Sequence, residues 1–129
     1  MKKEGFTLFS LILVFSCIVV AATGQMILKT GMNEVGKITD LRGLLSMENF
    51  GRMATNKFVV FGVMLYAFSA VLWLGALSSL DVSYAYPFIS LSYVLVAILA
   101  FIFLKENISM VRWMGIIVII IGVFLISRT

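Results

Sequence analysis

The sequence predicts an all-α membrane protein with four transmembrane helices. Two observations carry that expectation. Hydrophobic residues make up 62% of the 129-residue chain and charged residues only 12%, whereas soluble domains run near ~45–50% and ~25%. The few charges also leave four long runs almost untouched: residues 5–28, 58–80 and 82–104 carry none, and 108–127 carries only Arg112. A helix needs about 20 apolar residues to cross a hydrocarbon core some 30 Å thick. Inside lipid every backbone N–H must find its partner within the segment, so each run reads as a helix. The expectation is one membrane domain over 1–129, with spans at about 6–28, 58–80, 82–104 and 109–127 and a loop at 29–57.

Composition also excludes classes of function. A mean hydropathy of +1.13 rules out a soluble globular domain or a disordered tail. The single cysteine, Cys17, permits neither an internal disulfide nor a cysteine-rich metal site. Without histidine there is no histidine general base, no Ser-His-Asp triad and no ordinary zinc site. No metal and no cofactor are expected. The net charge of +4 speaks, in a membrane chain, to orientation and anionic headgroups rather than to nucleic acid.

Span one follows Met1-Lys2-Lys3, a basic start that signal peptides share. Its apolar run is too long for a typical signal sequence, and a retained span is expected. The loop 29–57 sets Lys29, Lys37, Arg42, Arg52 and Lys57 against Glu34, Asp40 and Glu48. Leu41, Leu44 and Leu45 share a helical face there, with Phe50 and Met53 following, a weak signal for a short interfacial helix. The connections 78–81 and 105–108 are short, and the first makes spans two and three an antiparallel hairpin. Counting Lys105 and Arg112 with the loop, the basic residues favour termini on the outer side. Lys2 and Lys3 argue the other way, and orientation stays open.

Within the spans no carboxylate lies near the bilayer centre, where a proton-coupled pump usually keeps one. Gln25 and Lys29 lie four residues apart on one face of span one. Lys29 is either a snorkelling lysine at the interface or, with Gln25, a grip on a lipid phosphate. Span three opens at Asp81, which suits an N-cap. Pro87 cannot donate to the Ser83 carbonyl, so the helix is weakened there. Ser83, Tyr86, Pro87, Ser90 and Tyr93 recur at three- and four-residue spacing, as a cavity lining or as glue between helices. Trp73 of span two either packs against that stripe or only fills space. Gly115 and Gly122 fall on one face of span four, where internal packing and dimerisation explain them equally well. Glu106 and Ser109 are further capping candidates just before that span.

These residues carry a resemblance. Val71-Leu72-Trp73-Leu74, the run from Ser83 to Tyr93, Leu104-Lys105-Glu106 and the stretch from Trp113 through Gly115 to Gly122-Val123 resemble the four-helix members of the drug/metabolite transporter superfamily. Gly24-Gln25 with Lys29 extends the likeness into span one, and only residues 31–57 fall outside it. The chain looks similar in particular to the EamA-like subunits that flip aminoarabinose-linked undecaprenyl phosphate across the bacterial inner membrane. It also resembles the small multidrug resistance exporters, but those carry a span-one glutamate where Ala21 stands here. The resemblance implies a multi-pass transporter of the bacterial inner (cytoplasmic) membrane, not an enzyme. It implies a homodimer, or a heterodimer with a similar small subunit, that moves a polyprenyl-phosphate lipid bearing a sugar. Gln25 and Lys29 would hold the phosphate, and Trp73, Tyr86, Pro87, Ser90 and Tyr93 would line the route. Two rivals are an exporter of cationic compounds, with Asp81 or Glu106 as its anionic site, and a non-transporting membrane adaptor.

Overall fold

The computed structural model describes residues 2–129, with side chains from Leu8 onward. The side chains of the basic start, Met1-Lys2-Lys3, lie outside the described residues. Six helices follow in order: α1 (Lys2–Val35), α2 (Leu41–Leu44), α3 (Met47–Thr55), α4 (Lys57–Leu77), α5 (Val82–Phe103) and α6 (Met110–Ser127). Four of them, α1 through its stretch Leu8–Val35 together with α4, α5 and α6, are long and apolar enough to cross a bilayer. The described residues form no strand. The chain is an all-α membrane protein.

Helix starts follow from local chemistry. Asp40 caps α2 by accepting from the Gly43 N–H at 2.7 Å, and Ser46 caps α3 by accepting from Asn49 at 3.2 Å. Asn56 caps α4, its Oδ1 accepting from Phe58 at 3.0 Å and Val59 at 3.1 Å. Its Nδ2 also donates to Glu34 at 2.9 Å, which ties the end of α1 to the start of α4. Such caps contribute ~1 kcal/mol each. The stretch 29–57 is thus not a plain loop. It holds the last turns of α1, the helices α2 and α3, and a turn at Gly36, whose φ of +107° suits a residue without a Cβ.

Packing is led by α1, which lies along α4 and, on another face, against α5. The α1–α4 seam is close because it is built on glycines. A Cβ on Gly62 of α4 would stand 2.7 Å from Leu28 Cγ and 3.0 Å from the Gly24 carbonyl oxygen. A Cβ on Gly31 would stand 2.8 Å from the Val59 backbone nitrogen. The tight turn between α4 and α5 leads one to expect a packed hairpin. Instead the two helices scarcely touch. Bulky Tyr66 and Trp73 on one side, and Tyr86 and Tyr93 on the other, border the space between them. Among the described residues α6 makes its helix–helix contact with α5.

The core sits at one end of the bundle, where Val14, Ile18, Ala76, Phe88 and Val123 converge. Ser10 and Ser79 join hydroxyls there, linking α1 to the α4–α5 turn. The exposed area is 9150 Å², whereas a compact soluble protein of this mass exposes ~6,800 Å². Large apolar side chains such as Phe61, Val71, Ile102 and Val118 stand exposed. A surface this apolar is stable only against lipid or another subunit.

Candidate functional site

The parting of α4 from α5 leaves a cavity of about 680 Å³. Cys17, Ala21 and Gln25 supply its α1 wall at one-turn spacing. Tyr66, Ser69 and Trp73 supply the α4 wall, and Tyr86, Ser92 and Tyr93 belong to the α5 wall. Glu106, Ile108 and Arg112 stand at the opposite end from the core, and they make the mouth. From Tyr86 to Ala100 the α5 wall runs about 21 Å along the helix axis, most of a bilayer's hydrocarbon depth.

The walls are mostly apolar, aliphatic residues such as Ile18, Ala22, Ile89 and Val96 alternating with aromatic rings, and Gln25, Ser69, Ser92 and the tyrosine hydroxyls add neutral polar groups. Several hydroxyl and thiol groups in the walls are already engaged: Cys17 Sγ donates to the Ser69 carbonyl at 3.2 Å, and Ser69 Oγ donates to the Tyr66 carbonyl at 2.6 Å. Trp73 and Tyr86 meet edge-on across the closed end. Tyr66, Tyr86 and Tyr93 are each about half exposed or more, so the cavity is open sideways between the helices. A second cleft of about 390 Å³ lies between α1 and the end of α5. Its Thr23 and Thr30 hydroxyls are bonded to the Val19 and Met26 carbonyls, so it offers little to a charged ligand.

Of the residues expected to bind substrate, Gln25, Trp73, Tyr86 and Tyr93 come together in the cavity. Lys29 does not join them; it stands exposed, one helical turn beyond Gln25. Pro87 lies inside α5 but off the cavity wall, and Ser90 turns its hydroxyl onto the Pro87 carbonyl. The α5 face that meets the cavity is therefore rotated from the expected stripe, toward Ile89, Ser92 and Val96.

Among the capping candidates, Ser109 accepts from the Arg112 N–H at 3.2 Å. Asp81 precedes α5 with an extended backbone, but its carboxylate accepts no capping bond; its carbonyl takes the Tyr84 and Ala85 N–H groups instead. Glu106 faces the cavity mouth. Among the described residues nothing would meet a Cβ at Gly115 or Gly122. Cys17, Tyr66, Ser69, Ser92 and Arg112 were not among the expected site residues. The four-residue spacing of Cys17, Ala21 and Gln25, and the Tyr66, Ser69, Trp73 series, are the signals that mark two of the walls.

Four apolar helices around a side-opening cavity make a multi-pass membrane protein. The chain belongs to the EamA-like transporter family, which matches it over residues 5–128. It is 37% identical over 107 residues to the probable 4-amino-4-deoxy-L-arabinose-phosphoundecaprenol flippase subunit ArnF of Proteus mirabilis (strain HI4320), covering 81% of this chain and 80% of that one. The corresponding ArnF of Shewanella sediminis (strain HAW-EB3) is 32% identical over 124 residues, 90% of this chain and 86% of that one. A probable ArnE subunit of the same kind of flippase, from Hamiltonella defensa subsp. Acyrthosiphon pisum (strain 5AT), is 28% identical over 93 residues, 72% and 84% of the two chains. No solved structure matches.

Proposed function

We propose that this protein moves a polyprenyl-phosphate lipid bearing a sugar between the leaflets of the bacterial inner membrane, as one of two small subunits. The observation that carries the proposal is the cavity: aliphatic and aromatic with neutral polar groups spaced along it, ionic among the described residues only at Glu106 and Arg112, and open sideways. A charge taken into bare hydrocarbon costs at least ~2.5–3.5 kcal/mol. A lateral opening lets the head group travel among Gln25, Tyr66, Tyr93 and Trp73 while the greasy chain stays in the bilayer. The wall holds Ala21 where the similar multidrug exporters place a glutamate, so the middle of the route keeps no fixed anion against a phosphate. Lys29, outside the cavity, gathers phosphate at the surface and hands it to the face that Gln25 begins. Glycines on α6 that none of the described residues approaches suit a second subunit, either a copy or a similar small chain. Nothing in this route requires covalent chemistry.

The test is reconstitution of the purified full-length protein in liposomes, alone and with a co-expressed small subunit. A fluorescent polyprenyl-phosphate sugar is loaded in one leaflet and quenched from outside. Protein-dependent loss of leaflet asymmetry is expected. Unchanged asymmetry in both preparations, together with no lipid retained in native mass spectrometry, would overturn the proposal.

A further inference from the structure

The segment between α1 and α4 carries large apolar side chains that the described residues leave uncovered. Its two short helices are tied together: Ser46 Oγ donates to the Gly43 carbonyl at 3.0 Å, and Asn49 Nδ2 donates to the same oxygen at 2.8 Å. Around this unit Leu41, Leu45, Met47 and Phe50 are between 62% and 84% exposed. α3 has three sides, because successive residues of a helix turn by about 100°. Asn49 and Met53 share one side and are partly buried, where α3 packs on α1 and α4. Met47, Phe50 and Ala54 share the second side and stand exposed. Glu48, Arg52 and Thr55 share the third, also exposed.

We propose that α2 and α3 lie on the membrane surface, their exposed apolar side sunk at the boundary between headgroups and acyl chains, with anionic phospholipid as the favoured partner. The level follows from α4. Only Asn56 separates α3 from α4, which is long and apolar enough to span the bilayer. The Asn56–Glu34 bond holds that junction to the last turn of α1, so α3 stays at the bilayer edge. There its apolar and charged sides point apart, the distribution of a helix lying in the plane of the interface. The charge fits the same occupant. Lys37, Arg42, Arg52 and Lys57 are exposed and outnumber Asp40 and Glu48, and the Asp40 carboxylate is engaged at the Gly43 N–H. Basic side chains beside an apolar surface reach to headgroup phosphates and draw anionic lipid. The segment lies at the mouth end of the cavity, because the core holds the opposite ends of α1 and α4. Anchored in this way, it sets the height of the mouth in that leaflet, whatever the cavity carries.

The experiment places a nitroxide at single cysteines in the full-length Cys17→Ala protein, reconstituted in vesicles of phosphatidylcholine with or without phosphatidylglycerol. Met47→Cys and Phe50→Cys report the apolar side, Glu48→Cys and Thr55→Cys the charged side. Accessibility is read with oxygen, which concentrates among acyl chains, and with a neutral nickel chelate, which stays in water. The labels at Met47 and Phe50 are expected about 5–10 Å deep at the headgroup–acyl boundary, open to oxygen and closed to the chelate. Those at Glu48 and Thr55 are expected in water. Phosphatidylglycerol should deepen the first pair, and Arg42→Gln/Arg52→Gln or high salt should abolish that shift. All the labelled side chains are exposed, so helix content should not change, and circular dichroism is measured alongside. Labels at Met47 and Phe50 as open to the chelate as those at Glu48 and Thr55 overturn the inference. Labels closed to both reagents overturn it too, because a second subunit or another protein then covers the face. Equal depth in the two kinds of vesicle overturns the choice of anionic phospholipid. None of these outcomes touches the transport reading, which the leaflet-asymmetry assay tests separately.

Discussion

Trp73 of α4 and Tyr86 of α5 meet edge to face, their ring centroids 6.1 Å apart and their planes at 69°. The contact bridges two helices that otherwise scarcely touch, and it closes the cavity at the end where the core begins. Aromatic pairs of this geometry contribute ~0.5–1.5 kcal/mol beyond the area they bury. Trp73 also packs on the core cluster of Val14, Ile18 and Phe88. Trp73→Ala is therefore expected to destabilise the protein by about 2 kcal/mol, with Trp73→Phe recovering most of it. Thermal unfolding in mild detergent reads this directly. An unchanged melting curve for Trp73→Ala would show that the bridge contributes nothing.

The same bridge shows where sequence reasoning reached its limit. The spans are legible because the bilayer imposes a one-dimensional rule, a long apolar run with almost no charge, and α4, α5 and α6 obey it, Lys57 and Arg112 falling at helix starts. How the helices meet is not legible from that rule. Gly24, Gly31 and Gly62 lie on two helices, and their meeting is a fact of space that no spacing along the chain reports. The site divides in the same way. Gln25, Trp73, Tyr86 and Tyr93 come together because helical spacing places polar and aromatic groups on inward faces. Ser90 departs because its hydroxyl satisfies itself on its own helix, as serine in a helix readily does. Arg112 reads along the chain as a topology signal, and only the fold of the 104–109 turn brings it to the cavity.

The glycine seam makes its own prediction. At Gly31 an added Cβ would meet the Val59 backbone nitrogen at 2.8 Å and Val59 Cγ2 at 2.7 Å, and the backbone cannot yield without moving α4. Gly31→Ala and Gly62→Ala are each expected to destabilise by about 1–3 kcal/mol, the usual effect of overpacking. Gly115→Ala provides the contrast, since open space surrounds that position. Denaturation in mixed micelles should separate the three variants in that order. Equal stability for Gly31→Ala and Gly115→Ala would mean that α1 and α4 do not approach through their glycines.

Lys29 and Gln25 share a face of α1, yet only Gln25 enters the cavity. The two residues should therefore fail differently. An exposed charge attracts phosphate by a screened interaction worth ~0.2–1 kcal/mol. Lys29→Ala is expected to raise the lipid concentration for half-maximal transport about two- to fivefold, with the maximal rate unchanged and the effect fading in high salt. Gln25→Leu removes a polar group from the wall itself and should lower the maximal rate. A Lys29→Ala protein that transports nothing at any lipid concentration would place the phosphate site at Lys29 instead.

The outer face of α6 carries the last prediction. Among the described residues, Gly115 and Gly122 meet nothing within 4 Å of where a Cβ would stand. Internal packing therefore does not account for them, although each glycine in a helix interior weakens it by ~0.5–1 kcal/mol relative to alanine. Among the described residues α6 also makes its helix–helix contact with α5, which leaves large side chains such as Val118, Ile121 and Leu125 exposed. In lipid there is little hydrophobic drive for helices to associate, so close approach at small residues supplies the contact energy instead. Gly122→Leu should then leave the single chain folded, because it clashes with nothing inside it, yet lower the fraction of paired subunits. Cross-linking in native membranes before solubilisation, with circular dichroism of the purified variant as the control for folding, reads both quantities. A Gly122→Leu/Gly115→Leu double variant that pairs as well as wild type would move the subunit contact to another face and leave these glycines without a role.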